Sequence, residues 1–227
     1  MIDTPDVRNV SRWMLFSLLL FITSSSTIHT EKVLTSGTES AWELMENSEG
    51  VKIYFRWIDL PDKVRVRERK AEIIVHNTLE KSLKAITGEK EIPVWMSGIK
   101  KLFILHHDRP EKWYTYSLYG LPWPFNDREL ITLNTLSTNP KKDRILLDMR
   151  SSDESYPPAK GVERLTHYKA SWELSEIKAG LVKMTFIGRS EDPPAFPRCI
   201  QDPVIKKVFF RNMVSLNELL NGKSKSK

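Results

Sequence analysis

From about residue 100 to residue 190 the chain is an almost unbroken succession of strand-like segments, and one long amphipathic helix follows it. Candidate strands run over 100–107, 112–120, 129–137, 143–150, 163–176 and 181–190, separated by Gly, Pro, Asn or Asp. Tyr168, Ala170, Trp172 and Leu174 alternate with Lys169, Ser171 and Glu173, the period-two pattern of a half-buried strand. Short connections join antiparallel neighbours, because a parallel return needs a long crossover. Residues 202–221 carry a different signature. At about 100° per residue, Ile205, Val208, Phe209, Met213, Leu216, Leu219 and Leu220 share one broad stripe, with Lys206, Lys207, Arg211, Asn217 and Glu218 off it. Massed strands with few helices make an α+β fold. A curved antiparallel sheet closed by one long helix encloses a space between them.

Upstream, residues 39–48 read as a short helix, with Trp42 and Met45 at i, i+3. Val51–Trp57 alternates as a strand, and Pro61-Asp62 turns the chain into a second strand over 64–75. Arg65, Arg67 and Arg69 share one face of that strand; Val64, Val66 and Glu68 share the other. Asn77-Thr78 can cap a helix over about 78–88 with Leu79, Leu83 and Ile86 on one stripe.

Forty per cent hydrophobic residues suffice for a sizeable core. The formal charge of +6 invites a nucleic-acid reading, but Lys223, Lys225 and Lys227 in the basic tail over 222–227 supply three of those charges. With no arginine-rich helix and no basic-aromatic ribonucleoprotein pattern, nucleic acid is not an expected partner. Weak attraction to anionic lipid headgroups is compatible with the charge. Cys199 is the sole cysteine, so no intramolecular disulfide forms. His106-His107 would point to opposite faces of a strand, which disfavours one shared metal ion. Neither a metal nor a cofactor is expected, and the chain contains no phosphate-binding glycine loop or nucleophile elbow.

Arg8 and Arg12 precede an apolar run over 13–22, and the small polar run Thr23-Ser24-Ser25-Ser26-Thr27 follows. That is the three-part layout of an export signal over 1–27, with a linker over 28–37. Ten helical residues rise only about 15 Å, short of a bilayer core of about 30 Å. Export to the periplasm or exterior is the expectation, with an uncleaved membrane anchor through 13–22 as the alternative.

Pro122-Trp123-Pro124-Phe125-Asn126-Asp127-Arg128-Glu129, between two candidate strands, resembles the "P-x-P … R-D" segment of START (StAR-related lipid-transfer) domains. Gly50-Val51-Lys52-Ile53-Tyr54, Pro93-Val94-Trp95-Met96 and the Asp192–Pro197 exit before the last helix are similar to that family in order and spacing. The resemblance covers about 38–221. It implies a helix-grip fold: an incomplete antiparallel sheet wrapped around the C-terminal helix, with a hydrophobic tunnel holding one lipid or similar molecule. A monomer is the default expectation.

The resemblance makes Arg128 the tunnel arginine, recognising a headgroup or fixing the loop to the sheet through an ion pair. Glu129 stands where the family usually has Asp. The strand Tyr114-Thr115-Tyr116-Ser117 offers no carboxylate opposite Arg128, which argues against a sterol, and Glu68 is the candidate partner. Asn212 lies within the apolar stripe, to bind a headgroup or satisfy a sheet carbonyl. Phe209, Met213 and Leu216 line the tunnel or fill the core. Trp123 and Tyr116 complete the candidate ligand contacts. Phe210 and Val214 lie opposite the stripe beside Lys206, Lys207 and Arg211, as an exposed pair for membrane docking or as scattered surface hydrophobes. A non-catalytic carrier is the leading reading. A polyketide aromatase/cyclase-like enzyme using Arg128, Tyr116 and His167, or an interaction domain with a filled core, are the alternatives.

Overall fold

The computed structural model describes residues 39–61, 64–120, 126–141, 143–154, 156–192 and 197–222. The export segment, the linker, Trp123 and the lysine-rich tail beyond Gly222 fall outside these residues.

Among the described residues ten strands form one open, mostly antiparallel sheet: nine in the order β1-β2-β3-β10-β9-β7-β6-β5-β4, with the short β8 pairing β6 off this path. They are β1 (Glu43–Ser48), β2 (Val51–Asp59), β3 (Arg65–Val75), β4 (Ile99–Arg109), β5 (Lys112–Tyr119), β6 (Arg128–Thr138), β7 (Arg144–Ser151), β8 (Glu163–Arg164), β9 (Tyr168–Lys178) and β10 (Leu181–Ser190). Between β3 and β4 lie α1 (Leu79–Thr87) and the single turn α2 (Ile92–Trp95), and α3 (Arg198–Leu220) closes the fold. Thr78 caps α1, accepting from Lys81 N at 3.2 Å. The indole of Trp95 donates to Ala85 O at 2.8 Å and ties α2 to α1. This is the expected α+β helix grip.

Three elements differ from the sequence reading. Residues 43–48 are an edge strand on β2, not a helix. Two turns of isolated helix are marginal, whereas the free edge of β2 offers a ladder of backbone partners. Trp42 instead lies under Arg56, 4.4 Å from its guanidinium carbon. The single strand expected over 163–176 is divided. β8 pairs with β6 in parallel, and β9 begins only after Thr166 and His167 have bonded to Asp192. Finally, α3 starts at Arg198, ahead of Pro203. Its first turn is held by Pro197 O, which accepts from Ile200 N and Gln201 N, and by the Arg198 guanidinium donating to Arg65 O.

The packed core occupies one part of the concave face. Val51, Ile53, Ile73 and Val75 from β2 and β3, with Leu174 and Met184, meet Val214, Leu216 and Leu220 from the second half of α3. These side chains are almost fully shielded from solvent, each worth about 1.5–3 kcal/mol. The first half of α3 meets something different.

Candidate ligand-binding cavity

Between the first half of α3, the α1–α2 segment and strands β3 to β10 lies a cavity of about 740 Å³. Its roof is Ile205, Val208, Phe209 and Met213 of α3, with Ile92 and Trp95 of α2. Trp172, Phe186 and Phe209 form an aromatic wall of mutually tilted rings, with successive centroids 5.1 and 5.6 Å apart. The floor is a two-strand ladder in which Thr115 faces Thr132, Ser117 faces Leu130 and Trp113 faces Asn134. Asn134 donates to Thr115 Oγ1 at 3.0 Å and to nearby carbonyls, so the floor's amide is satisfied from within.

Of the residues singled out in the sequence, Arg128, Asn212, Phe209 and Met213 line the cavity. Arg128 is held by Glu163 of β8 at 3.2 Å, so its carboxylate partner is Glu163 and not Glu68. Glu68 lies on the opposite face of the sheet. There Arg56 and Arg189 clamp it at 2.6 and 2.8 Å, which explains a carboxylate that is nearly fully buried. Asn212 Oδ1 accepts from Ser97 N at 3.1 Å and Ser97 Oγ at 2.7 Å, fastening the turn after α2 to α3 in place of a sheet carbonyl. Leu216 is core, fully buried and away from the cavity lining.

Two expectations fail on geometry. Val214 is 5% exposed within the core cluster and Phe210 packs against it, so they form no exposed docking pair. The cause is that α3 is contacted on two sides, by β2 and β3 and by α1 and α2. Its buried arc is wider than one apolar stripe suggests. Tyr116 also faces away from the cavity. Its hydroxyl donates to Glu129 Oε2 at 2.9 Å, and Glu129 in turn accepts from Arg164 Nε at 2.8 Å and Ala159 N at 3.1 Å. Segment 156–165 thus straps the outer face of β6 around one buried ion pair.

Burial, and then the bond to Glu129, push the Tyr116 phenol up to about 12. The unfolded value is near 10, so the folded chain keeps this proton where the unfolded chain loses it. The stability this supplies is complete below about pH 10 and is lost as pH rises to about 12. Denaturant titrations between those limits should show wild type losing stability faster than Tyr116→Phe. Parallel slopes would contradict the assignment.

The sequence reading missed Arg69, Tyr119 and Tyr168, which all line the cavity. The alternation Arg65, Arg67, Arg69 was visible, but the arginine face proves to be the inner one. Arg67 reaches Asp202 of α3 at 2.8 Å, and Arg69 opens on the cavity. Burial pushes the Tyr168 and Tyr119 phenols up and the Arg69 guanidinium down.

The sheet order, the helix it grips and the internal cavity can be set beside known structures. A STAR-related lipid transfer protein from Xanthomonas axonopodis superposes with a TM-score of 0.69 at 20% identity, covering 80% of this chain and 99% of that one. The fold is the START-type helix grip. Human StAR-related lipid transfer protein 5 agrees, with a TM-score of 0.68 at 12% identity over 80% of this chain and 87% of that one. So does the lipid transfer and protein localization domain of human StarD13, at 0.67 and 14%, over 79% and 89%. In sequence, an uncharacterized protein of Pseudomonas aeruginosa is 22% identical over 161 residues, 69% of this chain and 75% of that one. No protein-family model matches. Among the described residues of this START-like domain, no helix is long and apolar enough to cross a membrane.

Proposed function

We propose that the chain is a non-catalytic carrier that holds one lipid or similar hydrophobic molecule between α3 and the sheet, and passes it between membranes. The observation that carries this reading is the cavity of about 740 Å³, apolar under α3 and polar at one end. Sites for small hydrophobic ligands run from roughly 300 to 1,000 Å³ with a few placed polar groups. Burying an alkyl tail there supplies about 25 cal/mol per Å². A cavity of that size speaks against a domain whose core is filled by its own side chains.

The cyclase-like alternative needs Arg128, Tyr116 and His167 around one substrate. Tyr116 is bonded to Glu129 on the far face, and His167 is exposed beside Asp192 at 3.1 Å. Arg128 alone lines the cavity, which favours binding over chemistry.

Native mass spectrometry of the purified full chain should show one lipid-sized adduct per chain, released unchanged by organic solvent. A chain without an adduct that also takes up no fluorescent fatty-acyl probe would sink the proposal.

A further inference from the structure

The polar end of the cavity is built almost wholly of donors. Arg69, Arg128, Tyr119 and Tyr168 stand there, on four different strands. Tyr119 and Arg128 are directly paired across β5 and β6. Arg69 is paired across β3 and β10 with Gly188, and the Phe186 ring lies over that glycine where a side chain would stand. Arg128 already has Glu163.

Arg69 has no such partner. Among the described residues no carboxylate lies within ion-pair distance of it, and its buried Nε has no hydrogen-bond acceptor. Asp202 is near enough to stabilise its charge, but the Asp202 carboxylate is taken by Arg67, and Arg198 adds a further positive charge. Elsewhere in the lining, Lys100 is bonded to Asp127 at 2.6 Å. The one lining carboxylate, Glu89, accepts from Ile104 N. An arginine keeps its charge at any physiological pH, and a buried cation without a counter-ion is costly. This cluster presents a planar fork and two phenols to the cavity, and among the described residues no carboxylate pairs with Arg69.

Volume narrows the tail. A cavity of about 740 Å³ is of the size that takes one alkyl chain with its head.

Resting on the carrier reading above, we propose that the ligand is a single-tailed amphiphile with an anionic head, a carboxylate or a phosphate, gripped by Arg69 with Tyr119 and Tyr168. Arg69 completes its charge on the ligand, and Arg128 with Glu163 closes the wall beside it.

The test is calorimetric titration of the full chain, below micelle concentrations, with dodecanoate, dodecyl phosphate, dodecan-1-ol and inorganic phosphate. Both anionic amphiphiles should bind at least about 10-fold tighter than the alcohol, a difference of about 1.4 kcal/mol. Arg69→Gln should bring them to within about 3-fold of the alcohol while the alcohol's own affinity holds, and Arg69→Lys should keep part of the preference. Equal binding of charged and neutral heads by wild type overturns the proposal but leaves the carrier reading standing, and needs no variant. A preference that survives in Arg69→Gln overturns it as well. Inorganic phosphate binding as tightly as dodecyl phosphate would mean a free-anion site and no amphiphile. Failure of all three amphiphiles to bind would bring down the carrier reading with it.

Discussion

Truncating Glu129 to alanine should remove about 3–5 kcal/mol of stability, a large part of what a domain of this size possesses. The Glu129 side chain is fully buried, and three separate groups converge on its two oxygens. Removing it leaves the Arg164 guanidinium in a low-dielectric setting with only Tyr156 O to bond at 2.8 Å. One Arg164 nitrogen is already buried without a partner. The Tyr116 hydroxyl and Ala159 N lose their acceptor too. Urea unfolding checks this directly, and a midpoint corresponding to less than about 1 kcal/mol of loss would show that the pair is replaceable. Glu129→Gln should fall between, because an amide oxygen still accepts but the charge is gone. Glu129→Leu with Arg164→Met should recover much of the loss, since a buried pair replaced whole by apolar groups is often neutral. The effect reaches function through position: Arg128, next in the chain, points into the cavity from the same strand start.

Strands such as β9 and β10 were readable because one face of each is buried, and alternation then shows in the side chains. What alternation does not tell is which face is inside. On β3 both faces are shielded: Val66 and Glu68 on one, Ala71, Ile73 and Val75 on the other. Taking the valine face as the inner one made Glu68 the candidate partner of Arg128, whereas the structure puts Glu68 on the far face and Arg69 on the cavity. A strand whose polar face carries three arginines in succession is a signal worth testing for an internal anion site, and here it was the available one.

Partners distant in sequence were the other blind spot. Glu163 reaches Arg128 only through the parallel pairing of β8 with β6, and the strap that brings it has no periodicity of its own. The edge strand β1 exists because β2 offers an open ladder, a fact absent from residues 43–48 themselves. Val214 shows the limit of helical stripes. A helix touched from two sides buries a wider arc than its stripe, which takes in Val214 while Lys207 and Arg211 stay exposed. By contrast, Phe209 and Met213 lie on the stripe and meet the cavity, while Leu216 on the same stripe meets the core. The division follows position along α3, which the stripe does not encode.

Replacing Thr132 with tryptophan should weaken ligand binding at least about 100-fold, close to 2.8 kcal/mol, while changing the stability of the ligand-free protein by no more than about 1 kcal/mol. Thr132 lies in the middle of the cavity floor, facing Thr115 across the β5–β6 ladder. Its hydroxyl makes only a long 3.5 Å contact to Thr115 O, so little bonding is lost. An indole brings roughly 150–250 Å² of surface to be buried, and the only room for it is where an alkyl tail would run. In a filled core the same substitution would overpack, costing about 1–3 kcal/mol or more. The two measurements therefore separate the readings. Lost binding with preserved stability places the ligand between α3 and the sheet. Binding of a fluorescent fatty-acyl probe at wild-type strength would put the ligand elsewhere. A severe loss of stability would mean that the cavity cannot accept bulk and is no binding site, because a chamber that takes a lipid tail must also take a side chain of smaller volume.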